Sequence, residues 1–169
     1  ISQCLSAIEK QSYKNHEVIL VDNNSSDNTV KIAKEFNVKL VNYCPKGKFK
    51  PGKSINLGIE ASDGEYISII SGHCIPKNKD WLKNLIRNLK KDDIAGVYGR
   101  QEPLSFTSSL DKRDLTITFG LDRKVQKKDP FFHNANSALK RKIWKKYPFD
   151  NDCSNIEDRI WGEKMISEG

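Results

Sequence analysis

Glu17-Val18-Ile19-Leu20-Val21-Asp22 opens the stretch on which the fold turns. Asn23-Asn24-Ser25-Ser26-Asp27-Asn28-Thr29 follows, then a helical segment from Val30 to Phe36, then Val38-Lys39-Leu40-Val41. Four consecutive apolar residues, two of them Val, predict a strand buried on both faces, the habit of parallel sheets. The polar run after it is rich in side chains that bond their own backbone and cap helices. Strand, polar loop, helix and strand in this order make a βαβ unit. The expectation is an α/β domain: a mostly parallel central sheet with flanking helices, binding ligands outside the carboxyl ends of its strands.

On the N-terminal side, Leu5 and Ile8 predict the end of an amphipathic helix over residues 2–10. Downstream, Lys46-Gly47-Lys48-Phe49-Lys50-Pro51-Gly52-Lys53 holds two Gly, one Pro and four Lys in eight residues, which predicts a mobile basic loop. Two readings of it stand, a solvated surface loop or a loop that closes over a diphosphate. Ser54 to Ala61 resumes helix, with Ile55 and Ile59 on one face. Asp63-Gly64-Glu65-Tyr66-Ile67-Ser68-Ile69-Ile70-Ser71-Gly72-His73-Cys74-Ile75-Pro76 is an apolar, β-branched run between a Gly turn and a Pro. It reads as a buried strand that delivers Ser71, Gly72 and His73 into the crevice.

Leu82, Leu85, Ile86 and Leu89 recur at helical spacing, and Ile94 to Arg100 reads as another strand. From Gln101 to Asp129 no clean period survives; a long excursion with one helical piece is expected, and such stretches are often functional. Phe131 to Leu139 predicts a strand entering a helix that continues from Arg141 to Lys146. A last helix runs from Ile156 to Ser167, opened by Glu157-Asp158, acids that suit a helix N-terminus.

The 169 residues suit one domain, and no apolar run approaches the roughly 18 residues of a membrane span. The sequence starts at Ile1 without an initiator Met or a leader, and reads as a piece of something longer. Cys4, Cys44, Cys74 and Cys153 form no CxxC pair, which argues against a zinc knuckle or disulfide framework and for a reducing, cytoplasmic setting. The net charge of +7 points to anionic company or to simple solubility. Nucleic acid is disfavoured, because aromatic residues do not interleave with the Lys and Arg.

These residues resemble the family 2 glycosyltransferases. Glu17 to Thr29 is similar to that family's strand-and-loop signature, apolar strand then Asp-Asp-Gly-Ser-x-Asp-x-Thr. Lys53, Asn56, Gly58, Ala61, Gly64, Tyr66 and Ile67 stand at the spacing of its next block. Ile75-Pro76 with Trp81-Leu82 resembles the segment just past its metal motif. Asn134-Ala135-Asn136-Ser137-Ala138 with Glu157-Asp158 resembles its acceptor-side blocks.

The resemblance implies a Rossmann-like, GT-A-type nucleotide-sugar-binding domain spanning 1–169, with residues 1–100 as donor half and 101–169 as acceptor half, lacking the family's first strand and cut at both ends. It implies an inverting glycosyltransferase in cell-surface polysaccharide assembly, cytoplasmic and at the inner face of a membrane. The donor is a nucleotide-sugar, and the acceptor a glycan or a lipid-linked sugar. Asp22, Asn23, Ser25, Lys53, Asn56, Ser71 and Gly72 fall on the donor side. Arg100, Gln101, Asn134, Asn136, Arg159 and Trp161 fall on the acceptor side, Trp161 as a sugar-stacking ring or as core. Asp158 matches the catalytic base, with Glu157 as its neighbouring anion.

The family's usual Asp-x-Asp is replaced by Ser71-Gly72-His73. The resemblance implies a divalent metal, Mn2+ or Mg2+, but the carboxylates that hold one are gone. His73 is open to three readings: metal ligand, direct diphosphate partner, or residue of a site without metal. The same loss supports an alternative, a non-catalytic glycan- or nucleotide-binding scaffold.

Overall fold

The computed structural model describes residues 1–45 and 47–169. Lys46, first of the expected basic loop, lies outside them. In chain order come α1 (Ser2–Glu9), β1 (Ile19–Asp22), α2 (Thr29–Ala33), β2 (Lys39–Asn42), α3 (Pro51–Glu60) and β3 (Tyr66–Ile70). Then come α4 (Trp81–Leu89), β4 (Gly96–Tyr98), α5 (Ser109–Phe119), β5 (Asn136–Lys140), α6 (Arg141–Lys146) and α7 (Glu157–Ser167).

The βαβ unit forms as expected: β1 pairs parallel with β2, Ile19 opposite Lys39 through Asp22 opposite Asn42. Parallel pairing ends there. The second sheet has the order β3-β5-β4, and β5 runs antiparallel to both neighbours. The α/β expectation holds, while the mostly parallel sense is corrected. Between β4 and β5 the chain passes through α5 and a long loop and re-enters the sheet antiparallel. β1 is less buried than its apolar run suggests, with only Asp22 fully buried, because it hydrogen-bonds a strand on one side only.

The second sheet is packed on both faces. Ile67 and its partner Leu139 join Ile59, Phe132, Trp144, Phe149 and Trp161 on one side. Ala138 meets Leu82, Leu85, Ile86 and Leu89 of α4 on the other. Each such aliphatic side chain withdrawn from water contributes about 1.5–3 kcal/mol. The N-terminus of α4 is held from outside by buried Gln11, whose Oε1 accepts the Leu82 N–H at 3.0 Å, satisfying one of the helix's free donors.

The expected basic loop is shorter than its composition suggests. Pro51, Gly52 and Lys53 already belong to α3, with Pro51 in the first turn, where its missing N–H is not needed. Gly52 sits there because a Cβ would collide with Asp150 O. Close approach of these two segments carries Asn56 into the interior. Among the described residues no helix is long and apolar enough to cross a membrane.

Candidate active site

Because β5 runs against β3 and β4, its first residues lie at the carboxyl ends of both. Ser71 N–H donates to Ala135 O at 3.2 Å, and Gly99 N–H to Asn136 O at 2.9 Å, which pins Ala135-Asn136 between the two strand ends. The chain delivers Ser71-Gly72-His73 from β3 and Arg100-Gln101 from β4 to this one place.

The first turn of α7 is tied to the same point. The Asn134 N–H donates to Asp158 Oδ2 at 3.3 Å, and the Asn134 amide nitrogen to Glu157 Oε1 at 3.2 Å. Ser137 Oγ in turn donates to Asn134 Oδ1 at 3.3 Å. The second oxygen of Asp158 accepts the Arg159 N–H at 2.8 Å. Glu157 is buried and Asp158 half-buried. Ile156, just before them, takes φ 59°, ψ 17°. A β-branched residue in the left-handed region costs on the order of 1–3 kcal/mol, and this strained residue is the one that opens the helix carrying both acids.

The two asparagines do not present a paired amide face. Asn136 turns to the α4 side, where its Oδ1 accepts from Trp81 Nε1 at 2.8 Å and its Nδ2 donates to Arg100 O at 3.3 Å. Asn134 lies before the strand and turns to α7. Strand alternation would put residues two apart on one face, but only one of this pair is in the strand. Both amides are engaged within the chain, Asn134 toward α7 and Asn136 toward α4, which supports a positioning role for them.

His133, which the sequence did not single out, completes the network. Its Nδ1 accepts from Gln101 Nε2 at 2.9 Å and from the Ala135 N–H at 3.3 Å, contacts that assign the proton of the neutral ring to Nε2. Its position next to the Asn134-Ala135-Asn136 block was the available signal. Arg100 is exposed and 3.9 Å from Glu102, which also pairs with Lys77. Arg159 is exposed on α7.

On the donor side, Asp22 ends β1 and is 6% exposed as a residue. Oδ2 accepts the Ser25 N–H at 3.1 Å, while Oδ1 is buried with no partner among the described residues. Asn23 and Ser25 are exposed, and Asn24 takes φ 57°. Asp22 shares no hydrogen bond with Asp158 or His73 among the described residues. Lys53 is exposed on α3.

Two expected contacts are corrected by burial. Asn56 donates to Phe149 O at 2.7 Å and Asn151 Oδ1 at 2.9 Å, and accepts from Trp144 Nε1 at 2.8 Å and Phe149 N–H at 3.2 Å. An amide has two donors and two acceptor sites, all engaged here, so Asn56 braces α3 and contacts no donor. Trp161 is 4% exposed, packs against Phe132 and Phe149, and donates to Tyr147 O at 3.0 Å. It is core, not a stacking platform.

His73 is exposed beside a cavity of about 380 Å³ that it lines with Gly72, Cys4, Leu104 and Phe106. Burial pushes the Cys4 and Cys74 thiols up from their ordinary value, so neither is a ready thiolate next to His73. No three His, Cys, Asp or Glu side chains gather as metal ligands among the described residues. A larger cavity, about 500 Å³, lies at the opposite, amino ends of β1 and β2, lined by His16, Val18, Val38 and Lys39. Position decides between the two, since open α/β sheets bind at the carboxyl ends.

A sequence profile described as glycosyl transferase family 2 matches residues 1–148. The dolichyl N-acetyl-alpha-D-glucosaminyl phosphate 3-beta-D-2,3-diacetamido-2,3-dideoxy-beta-D-glucuronosyltransferase of Methanococcus voltae is 31% identical over 187 aligned positions, covering 100% of this chain and 58% of that protein. The O-antigen chain rhamnosyltransferase WbaN of Salmonella anatum is 22% identical over 174 positions, covering 96% and 55%. Among solved structures, the mannosyltransferase PcManGT from Pyrobaculum calidifontis, in complex with GDP-Man and Mn2+, superposes with a TM-score of 0.74 at 21% identity, over 98% of this chain and 47% of that one. S. aureus TarS in complex with UDP gives 0.68 at 19%, over 98% and 51%. These two likenesses show the expected GT-A-type fold. The chain spans about half the length of these relatives.

Proposed function

The chain belongs to glycosyl transferase family 2, and from that premise we propose that it is the donor-binding and acceptor-facing part of an inverting glycosyltransferase. The enzyme moves a sugar from a nucleotide-sugar to a glycan or lipid-linked acceptor in cell-surface polysaccharide assembly, at the inner face of a membrane. The names of the Methanococcus and Salmonella relatives, a dolichyl phosphate-linked acceptor and an O-antigen chain, support that acceptor class.

The observation that carries the reading is the Asp158 carboxylate, which accepts the N–H of Arg159 on its own helix and the N–H of Asn134 at the entry to β5, beside the carboxyl ends of β3 and β4. Asp158 takes the proton of the acceptor hydroxyl as its oxygen bonds to the anomeric carbon, while the bond from that carbon to the nucleotide's phosphate oxygen breaks on the opposite face. The nucleotide diphosphate leaves with that electron pair, and the anomeric configuration inverts. General-base help of this kind contributes about 10²–10⁴-fold. Glu157, held by Asn134, fixes the start of α7 and adds an anion beside the base. Gln101, Arg100 and Arg159 border the acceptor's approach. Asp22 accepts from the donor's base or ribose through its unpartnered oxygen, with Asn23 and Ser25 on the same loop. Lys53, Ser71 and Gly72 serve the phosphates.

A divalent ion, where an enzyme of this type binds one, neutralises the departing diphosphate. The donor set after β3, one imidazole and one hydroxyl without a carboxylate, does not fit Mg2+ and gives Mn2+ a single good protein ligand. His73 is therefore assigned to the diphosphate directly. Activity that persists in a chelator and falls in His73→Ala is the expected result; stimulation by Mn2+ that His73→Ala abolishes would assign the imidazole to a metal.

One observation favours a second reading, a non-catalytic glycan- or nucleotide-binding scaffold: no carboxylate stands in Ser71-Gly72-His73. The decisive experiment is sugar transfer by the full-length protein and its Asp158→Asn variant. Transfer that the substitution abolishes while donor binding survives supports the enzyme. No transfer and no donor hydrolysis by the unaltered protein supports the scaffold, and equal activity in the variant removes Asp158 as the base.

A further inference from the structure

α5 has apolar residues on two opposed faces. Phe119 turns inward, where it meets Tyr98, Phe131 and His133 at ring-centroid distances of 6.4, 5.9 and 5.6 Å, and Leu115 one turn before it is half-buried. Leu110 and Ile117, seven residues apart and so on one side of the helix, point outward, 65% and 74% exposed. Phe106 before the helix is 84% exposed, and Leu121 and Val125 after it are 76% and 57% exposed. Scattered apolar residues are normal on a protein surface, but five strongly exposed ones within twenty residues, on and beside one helix, call for an occupant.

The charge around the patch says which one. Lys124, Lys127 and Lys128 are exposed and join no ion pair among the described residues. The acids of the helix are partly engaged: Asp114 pairs with Arg113 at 2.9 Å, and Asp111 accepts from Ser108 Oγ at 2.7 Å. We propose that residues 104–128 dock the protein on the surface of an anionic lipid bilayer, Phe106, Leu110, Ile117 and Leu121 entering the headgroup boundary while the lysines meet lipid phosphates. Aliphatic and aromatic side chains flanked by lysine are the composition that such interfaces select.

The position of the patch gives docking a consequence for the site. Leu104 and Phe106 line the cavity that Gly72 and His73 border. Phe119 packs on His133, whose ring bonds Gln101 and whose next residue holds Asp158. A protein seated by this patch brings the carboxyl ends of β3 and β4 to the headgroup plane, where a lipid-linked acceptor presents its sugar. Only that last step rests on the transferase reading; the docking rests on the surface itself.

The test is co-sedimentation of the full-length protein with vesicles of phosphatidylcholine containing phosphatidylglycerol, against phosphatidylcholine alone. Binding at least about tenfold tighter to the anionic vesicles, and weaker as salt rises, is expected. The paired substitution Ile117→Asp with Leu121→Asp should lower it about tenfold or more at an unchanged melting temperature. Lys124→Gln with Lys127→Gln and Lys128→Gln should remove the preference for anionic lipid. Equal binding by both variants, or no preference in the unaltered protein, overturns the proposal. So does self-association that Ile117→Asp abolishes without vesicle binding, which would make the patch a contact between copies. Transfer to a water-soluble acceptor, measured on the same preparations, separates the two readings. Vesicle binding without transfer removes the enzyme and leaves the docking; transfer without vesicle binding does the reverse.

Discussion

Asp22 ends β1 and Asp158 opens α7 beside the start of β5, and the chain holds the two in opposite ways. Asp158 has both oxygens on backbone N–H groups and stands next to a buried Glu157 that Asn134 satisfies. Asp22 is more deeply buried, has one oxygen on Ser25 N–H, and leaves the other without a partner among the described residues. A buried, unpaired carboxylate oxygen costs on the order of 1–3 kcal/mol. The site around Asp158 is thus complete in its own hydrogen bonds, whereas the site around Asp22 is completed from outside. The first holds a geometry, and the second leaves one oxygen open, as the proposed donor contact requires.

Asn134→Ala puts this contrast under the greatest load. It removes the amide that satisfies buried Glu157 and the acceptor of Ser137 Oγ, so stability should fall by about 2–4 kcal/mol. Sugar transfer should fall by about tenfold to a hundredfold in turnover, with donor affinity kept. Chemical denaturation and transfer kinetics read the two effects; a stable variant at full turnover would mean that the start of α7 is not held through the Asn134 side chain, the backbone N–H that Asp158 accepts being kept in the variant. Next in size is Asp22→Asn, where the contrast predicts the reverse pattern. The substitution withdraws a charge that the chain leaves half-satisfied, so stability should stay within about 1 kcal/mol. Donor affinity, measured calorimetrically, should drop about tenfold or more, the loss of one charge-assisted hydrogen bond. A large loss of stability with unchanged donor affinity would make Asp22 a brace of its loop.

How far the sequence disclosed this arrangement depends on whether one period governed each segment. The βαβ unit and α4 were readable because their apolar residues serve a single face, and all of Leu82, Leu85, Ile86 and Leu89 are buried as the spacing predicts. α5 was not, because Phe119 is its buried residue and Leu115 is half-buried while Leu110 and Ile117 face out, so no single stripe stands out in a one-face count. The pair Glu157-Asp158 was readable from the family resemblance, and the structure ties both acids to Asn134. Asn56 and Trp161 also stand in motif positions, but the close approach of α3 to Phe149 and Asp150 and of α7 to Phe132 buries them, a long-range outcome that local spacing does not carry. The antiparallel entry of β5 was hidden for the same reason: sense is set by where the chain re-enters the sheet, not by the strand's own residues.

Glu157→Gln is the smallest expected change and the one that separates the two acids of α7 most cleanly. The amide oxygen of Gln accepts the Asn134 Nδ2–H as Glu157 Oε1 does now, so the start of α7 is kept. What is lost is only the negative charge beside Asp158. If Glu157 positions the helix and Asp158 takes the proton, stability should change by less than about 1 kcal/mol. Turnover should fall several-fold, far short of the roughly 10²–10⁴-fold expected of Asp158→Asn. The ratio of the two losses, measured with the same donor and acceptor, is the informative quantity. Were Glu157→Gln as inactive as Asp158→Asn while remaining folded, the proton would go to the buried acid. Asp158, for all its backbone hydrogen bonds, would then be the residue that holds the turn.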